Sequence, residues 1–119
     1  MIEVIPTGPD DRVLGLRING AIERADVETA GAALEEKLTR HKRVRIYTEI
    51  VDPSTVSPLA VVENLKLALR HFRDVERQAI VADAFWLDPF AGAGDLIPGV
   101  RVRHFSWMDK GEALRWVKG

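Results

Sequence analysis

Few side chains in this chain have types and spacings that suit chemistry. Asp52, Asp83 and Ser106 each follow a stretch that reads as a strand. Parallel α/β sheets bind ligands beyond the carboxyl ends of their strands, so these three residues would share one rim. The structural reading is the plainer one: Asp52 makes an Asx-type turn before Pro53, and Asp83 caps a short helix. The histidines are His41, His71 and His104. His71 falls near a helix end, where its cationic form suits the helix dipole. Neither His71 nor His104 has a nucleophile or partner acid that the sequence identifies, and they lack the paired spacing of metal ligands. No Gly-x-Ser-x-Gly elbow, phosphate-cradling motif or zinc motif occurs, and Gly92-Ala93-Gly94 lacks the lysine and the strand-to-helix setting of a phosphate loop. The expectation is therefore no catalytic residue, no metal and no cofactor.

The most suggestive group is apolar. Phe85, Trp86, Leu87, Phe90, Leu96 and Ile97 crowd a connection rich in Gly and Pro, which is out of place in a solvated loop. They would pack a short helix onto the sheet or, with His71 and Asp83 nearby, wall a cavity for an apolar, lipid-like ligand. Of the two, packing is the commoner use of such residues. A second group is cationic: Arg43, Arg45, Arg101 and Arg103 alternate along two strands. Side by side they would form a strip for an acidic partner or phosphate, with acids such as Glu49 relieving the repulsion. A solvated outer face is the plainer account. RNA binding would also want exposed aromatics among the cations, and only Tyr47 and Phe105 are available.

Composition narrows the field further. The 119 residues, 46% of them hydrophobic, match one domain over 1–119 with a core of its own. The 17 basic and 18 acidic side chains nearly cancel, so no whole-molecule field attracts nucleic acid or anionic lipid. The absence of cysteine excludes disulfides and thiolate chemistry and is compatible with a reducing compartment. The opening Met1-Ile2-Glu3-Val4-Ile5-Pro6 has no basic start followed by a long apolar run, and no segment has the length of a membrane span. A cytoplasmic protein is the simplest reading.

The elements that must position these groups follow from periodicity. Residues 2–6 and 12–19 read as an antiparallel hairpin, with Leu14, Leu16 and Ile18 on one face. Asp26 caps a helix running to about His41, whose stripe is Val27, Ala30, Leu34 and Leu38. Residues 43–51 alternate, with Val44, Ile46, Thr48 and Ile50 on a buried face and Tyr47 and Glu49 on the other. Ser57-Pro58 opens a helix over 58–72 that is apolar around much of its circumference. A strand over 78–82, a short helix over 86–91, a strand over 100–105 and a helix over 110–118 capped by Asp109 complete the order ββαβαβαβα. That order implies a mainly parallel sheet with an antiparallel N-terminal strand. Since several strands alternate, the helices are expected mostly on one face.

This order resembles the SpoIIAA-like family, the STAS and Sec14-like domains. The resemblance rests on Met1 to Ile5, on Val13-Leu14-Gly15-Leu16-Arg17-Ile18-Asn19-Gly20, and on Asn64-Leu65-Lys66-Leu67-Ala68-Leu69-Arg70-His71. Ala79-Ile80-Val81-Ala82-Asp83 with Trp86 after it, and Glu112-Ala113-Leu114-Arg115-Trp116-Val117, complete it. It implies a STAS-like fold and a non-enzymatic role in protein-protein contacts. STAS domains that antagonise anti-sigma factors carry a phosphorylated serine in an Asp-Ser-Ser-Gly-like motif; the equivalent place here is Asp52-Pro53-Ser54-Thr55-Val56-Ser57. Ser54 and Ser57 are its candidates, although proline replaces one motif residue and no glycine follows. The apolar excess of 58–72 and 85–97 makes a homodimer the expected assembly. A small carrier of apolar molecules is the alternative.

Overall fold

The computed structural model describes residues 1–51, 74–82 and 101–119. Five strands form one sheet in the order β1 (Ile2–Ile5), β2 (Val13–Ile18), β3 (Val44–Ile50), β4 (Val75–Val81) and β5 (Arg101–Phe105). β1 pairs antiparallel with β2, and the remaining neighbours are parallel, as the alternation and chain order predict. Helix α1 (Arg24–Leu38) links β2 to β3, and after β5 a 3₁₀ turn (Trp107–Asp109) leads into α2 (Lys110–Lys118).

The two described helices lie on opposite faces of the sheet, and the helices expected over 58–72 and 86–91 lie outside the described residues. Leu14, Leu16, Val44, Ile46 and Val75 pack beneath Ala30 and Leu34 of α1. On the other face Val13, Tyr47, Ala79, Val81 and Phe105 pack beneath Ala113 and Val117 of α2. β3 is consequently buried on both faces from Ile46 to Ile50, where its alternation had promised only one. The amphipathic pattern of α2 is the reason: a nine-residue helix with Ala113 and Val117 one turn apart covers the second face.

Local chemistry fixes the ends of these elements. α1 starts two residues before Asp26, with Glu23 as N-cap. Asp26 sits at the third helical position and accepts from the Glu23 N–H at 2.8 Å and from the Ile2 N–H at 3.1 Å, so one carboxylate joins the start of α1 to the start of β1. These backbone N–H groups hold its carboxyl below the usual carboxylate range. The chain leaves β2 through Gly20 at φ +76, the left-handed conformation that its lack of a Cβ permits. Gly15 answers a different need, since a Cβ there would lie 2.5 Å from both Ile5 O and Thr7 Cγ2.

At the far end of α1, Asp11 collects three cationic or hydrogen-bonding partners. Arg40 Nε donates to it at 2.9 Å, His41 Nε2 lies at 2.9 Å, and Lys37 Nζ donates at 3.3 Å. The Arg40 guanidinium, then His41 and Lys37, hold its carboxyl well below the ordinary value of 3.8. A carboxylate whose folded pKa is depressed contributes stability above its unfolded pKa and loses it as pH falls toward the folded one. Asp11→Asn should therefore lower the urea midpoint at neutral pH and flatten its decline below about pH 4. Parallel acid limbs in variant and parent would show that the cluster adds nothing.

Candidate functional site

Two polar constellations stand out, at opposite ends of the α2 face. The first grows from strand parity: Arg17 of β2 and Glu49 of β3 are cross-strand neighbours, and Tyr47 lies two residues before Glu49 on the same face. Glu49 Oε1 accepts from Arg17 Nε at 3.1 Å, and Oε2 accepts from the Tyr47 hydroxyl at 2.7 Å. Lys110 Nζ, at the start of α2, stands 3.8 Å from Oε2 and 5.5 Å from the Trp107 ring centroid. The Glu49 side chain is only 5% exposed. Burial, reinforced by the bond to Glu49, raises the Tyr47 pKa, so the phenol stays protonated as a donor. Both carboxylate oxygens are engaged and little solvent reaches them. Chemically this is a lock that joins β2, β3 and the start of α2, and it gives a substrate no access to a free base.

The second constellation lies at the amino ends of the strands. Arg45, Arg77 and Arg101 are partners in register across β3, β4 and β5, three like charges in a row. Such a row destabilises a sheet unless each charge finds a counterpart. The C-terminal carbonyls of α2 supply two of these: Arg45 Nη1 donates to Val117 O at 2.9 Å, and Arg77 Nη1 donates to Trp116 O. Cations at a helix C-terminus satisfy its orphan carbonyls and suit its dipole. Arg77 also stacks 5.3 Å from the Trp116 ring centroid. A β-bulge provides the acid. Val44 pairs with Val75 and Arg45 with Arg77, so Glu76 is one residue too many on β4. Its carboxylate accepts from Arg45 Nε at 3.0 Å and stands 3.8 Å from Arg43 Nη1. Arg43, Arg45, Glu76, Arg77 and Arg101 line an open cleft of about 330 Å³.

Several sequence expectations change here. The arginine strip is not simply a solvated face, because the Arg45 side chain is 13% exposed and holds α2. Its acid is Glu76, while Glu49 serves Arg17 and Lys110. β4 separates the two strands expected to carry the strip, so Arg77 completes the row, and Arg103 instead lies 4.9 Å from the Phe105 ring centroid. Tyr47 and Phe105, the aromatics a nucleic acid would need exposed, are buried at 1% and 6% exposure. Ser106 donates from Oγ to Asp109 Oδ2 at 3.1 Å, an ordinary turn bond. Burial pushes the His104 pKa down, and His41 is taken up with Asp11.

His71, Asp52, Asp83, Ser54 and Ser57 lie outside the described residues, as do Phe85, Trp86, Leu87, Phe90, Leu96 and Ile97. Sequence reading missed Glu49 with Tyr47, and Glu76 with Arg77. Matching parity of Arg17 and Glu49 on consecutive strands was the available signal for the first pair; the bulge leaves no such signal. Among the described residues no cluster of three His, Asp or Glu side chains fits a metal ion, and no helix is long and apolar enough to cross a membrane.

The family model described as SpoIIAA-like matches residues 13–118, from the start of β2 through the last turn of α2. No curated protein and no solved structure matches the chain.

Proposed function

We propose a function from one premise: the chain belongs to the SpoIIAA-like family. It is a non-enzymatic interaction module that works through protein-protein contacts in the cytoplasm, as a homodimer. The observation that carries this reading is the closed state of Glu49. The most buried carboxylate of the described sheet is tied by Arg17, Tyr47 and Lys110 and serves architecture. The contact surface assigned to the dimer is the apolar excess of residues 58–72 and 85–97, read from their sequence. Phe85, Trp86, Phe90 and Ile97 in that second segment also support the alternative, a carrier or sensor of an apolar, lipid-like molecule in which Leu87, Leu96, His71 and Asp83 complete the lining.

Native mass spectrometry together with light scattering tests both readings. The expected result is twice the chain mass at micromolar concentration with no retained small molecule. A monomer overturns the dimer, and a co-purifying lipid transfers the assignment to the carrier.

A further inference from the structure

From the cationic row at the amino ends of the strands we infer that this cleft binds an acidic segment of a partner protein through its carboxylates. The inference rests on the reading of the chain as an interaction module and names the chemistry of what it contacts. Two of the cleft's guanidiniums are anchored: Arg45 and Arg77 each spend donors on α2 carbonyls. The others face outward. The Arg43 side chain is 65% exposed and has only the 3.8 Å contact with Glu76, and exposed Arg101 has no ion-pair or hydrogen-bond partner among the described residues. Among the described residues the cleft is thus lined by four guanidiniums and one carboxylate, in a molecule whose net charge is -1.

Three features select the ligand class. Glu76 shows that a carboxylate is accepted here in direct contact with Arg45, at 3.0 Å. The row crosses three strands, roughly 10 Å at the usual strand spacing, which is wider than a single small anion and suits several carboxylates along an extended peptide. Nucleic acid is the poorer fit for want of stacking surfaces: Arg77 already covers the Trp116 ring, and Tyr47 and Phe105 are buried.

The test titrates the full chain with a hexaglutamate peptide while following arginine side-chain N–H signals by NMR. Parallel arms use hexaglutamine, inorganic phosphate and a single-stranded RNA oligomer. Hexaglutamate should move the Arg43, Arg77 and Arg101 signals, with affinity falling as salt is raised. Arg101→Ala should weaken it roughly fivefold to tenfold, as expected for loss of one charge-assisted contact. Arg101 is exposed and supports no helix, so this variant should fold, and Arg101→Lys should restore part of the affinity. Silence at these three arginines, equal response to hexaglutamine, or tighter binding of phosphate or RNA overturns the inference. Subunit mass in the same samples separates the two proposals: a dimer without peptide binding sinks only this one, and a monomer that binds peptide sinks only the dimer.

Discussion

Glu49→Ala should destabilise the protein by about 3 kcal/mol, the lower end of what removing one member of a buried ion pair costs. The lower end applies because its cationic partners still reach water: the Arg17 side chain is 39% exposed and that of Lys110 is 48% exposed. What remains behind is worse placed. The Tyr47 hydroxyl, on a residue 1% exposed, would lose its acceptor, and a buried donor without a partner costs roughly 1–3 kcal/mol by itself. Glu49→Gln keeps an acceptor oxygen and should lose roughly half as much. Urea denaturation measures both, and an alanine variant within about 0.5 kcal/mol of the parent would refute the lock. The chain has a single tyrosine, so phenolate absorbance reads Tyr47 alone. Its ionisation should move to lower pH in Glu49→Gln, since the bond to Glu49 is, after burial, the next cause of its raised pKa. Unchanged titration would mean that burial accounts for the whole shift.

Ile46→Ala should be of similar size, about 3 kcal/mol, for a different reason. Ile46 is 1% exposed and lies between Leu14 of β2 and Gln78 of β4, with Leu34 of α1 in the same apolar cluster. With neighbours on both sides in the sheet and a helix above, the site cannot collapse to fill the void, and truncations of this kind cost roughly 2–5 kcal/mol. Ile46→Val removes one methyl group and should cost about 1 kcal/mol. Equal losses in the two variants would show that the α1 layer is loosely packed there.

These two residues also mark how far the sequence could be read. The parity of β3 was legible: Ile46 faces α1 and Ile50, of the same parity, is buried among Ile18, Ile80 and Ala82, because alternation is a local property of the chain. The fate of the other parity was not. Tyr47 and Glu49 look like residues of a solvated face until α2, more than 60 positions later in the numbering, is laid over them. Burial on that side depends on a distant element, and strand alternation carries no record of it. Asp26 was read as a cap because aspartate caps helices, whereas it stands at the third helical position and closes a capping box with Glu23, so α1 starts at Arg24. Arg43, Arg45 and Arg101 were recognisable as a cationic set, but their alignment passes through Arg77 and depends on cross-strand register, which the sequence does not state.

Glu76 has a consequence of its own. Being supernumerary on β4, it could be excised with Val75 still opposite Val44 and Arg77 still opposite Arg45, so each layer of the protein would keep its residues. Among chains of this pattern, a deletion at that one place should keep the pairing register, with its cost falling on Arg45 and Arg43, which lose their acid. What the strand gains from the extra residue is a resident anion in a line of guanidiniums, a charge carried apart from the pairing register of the scaffold.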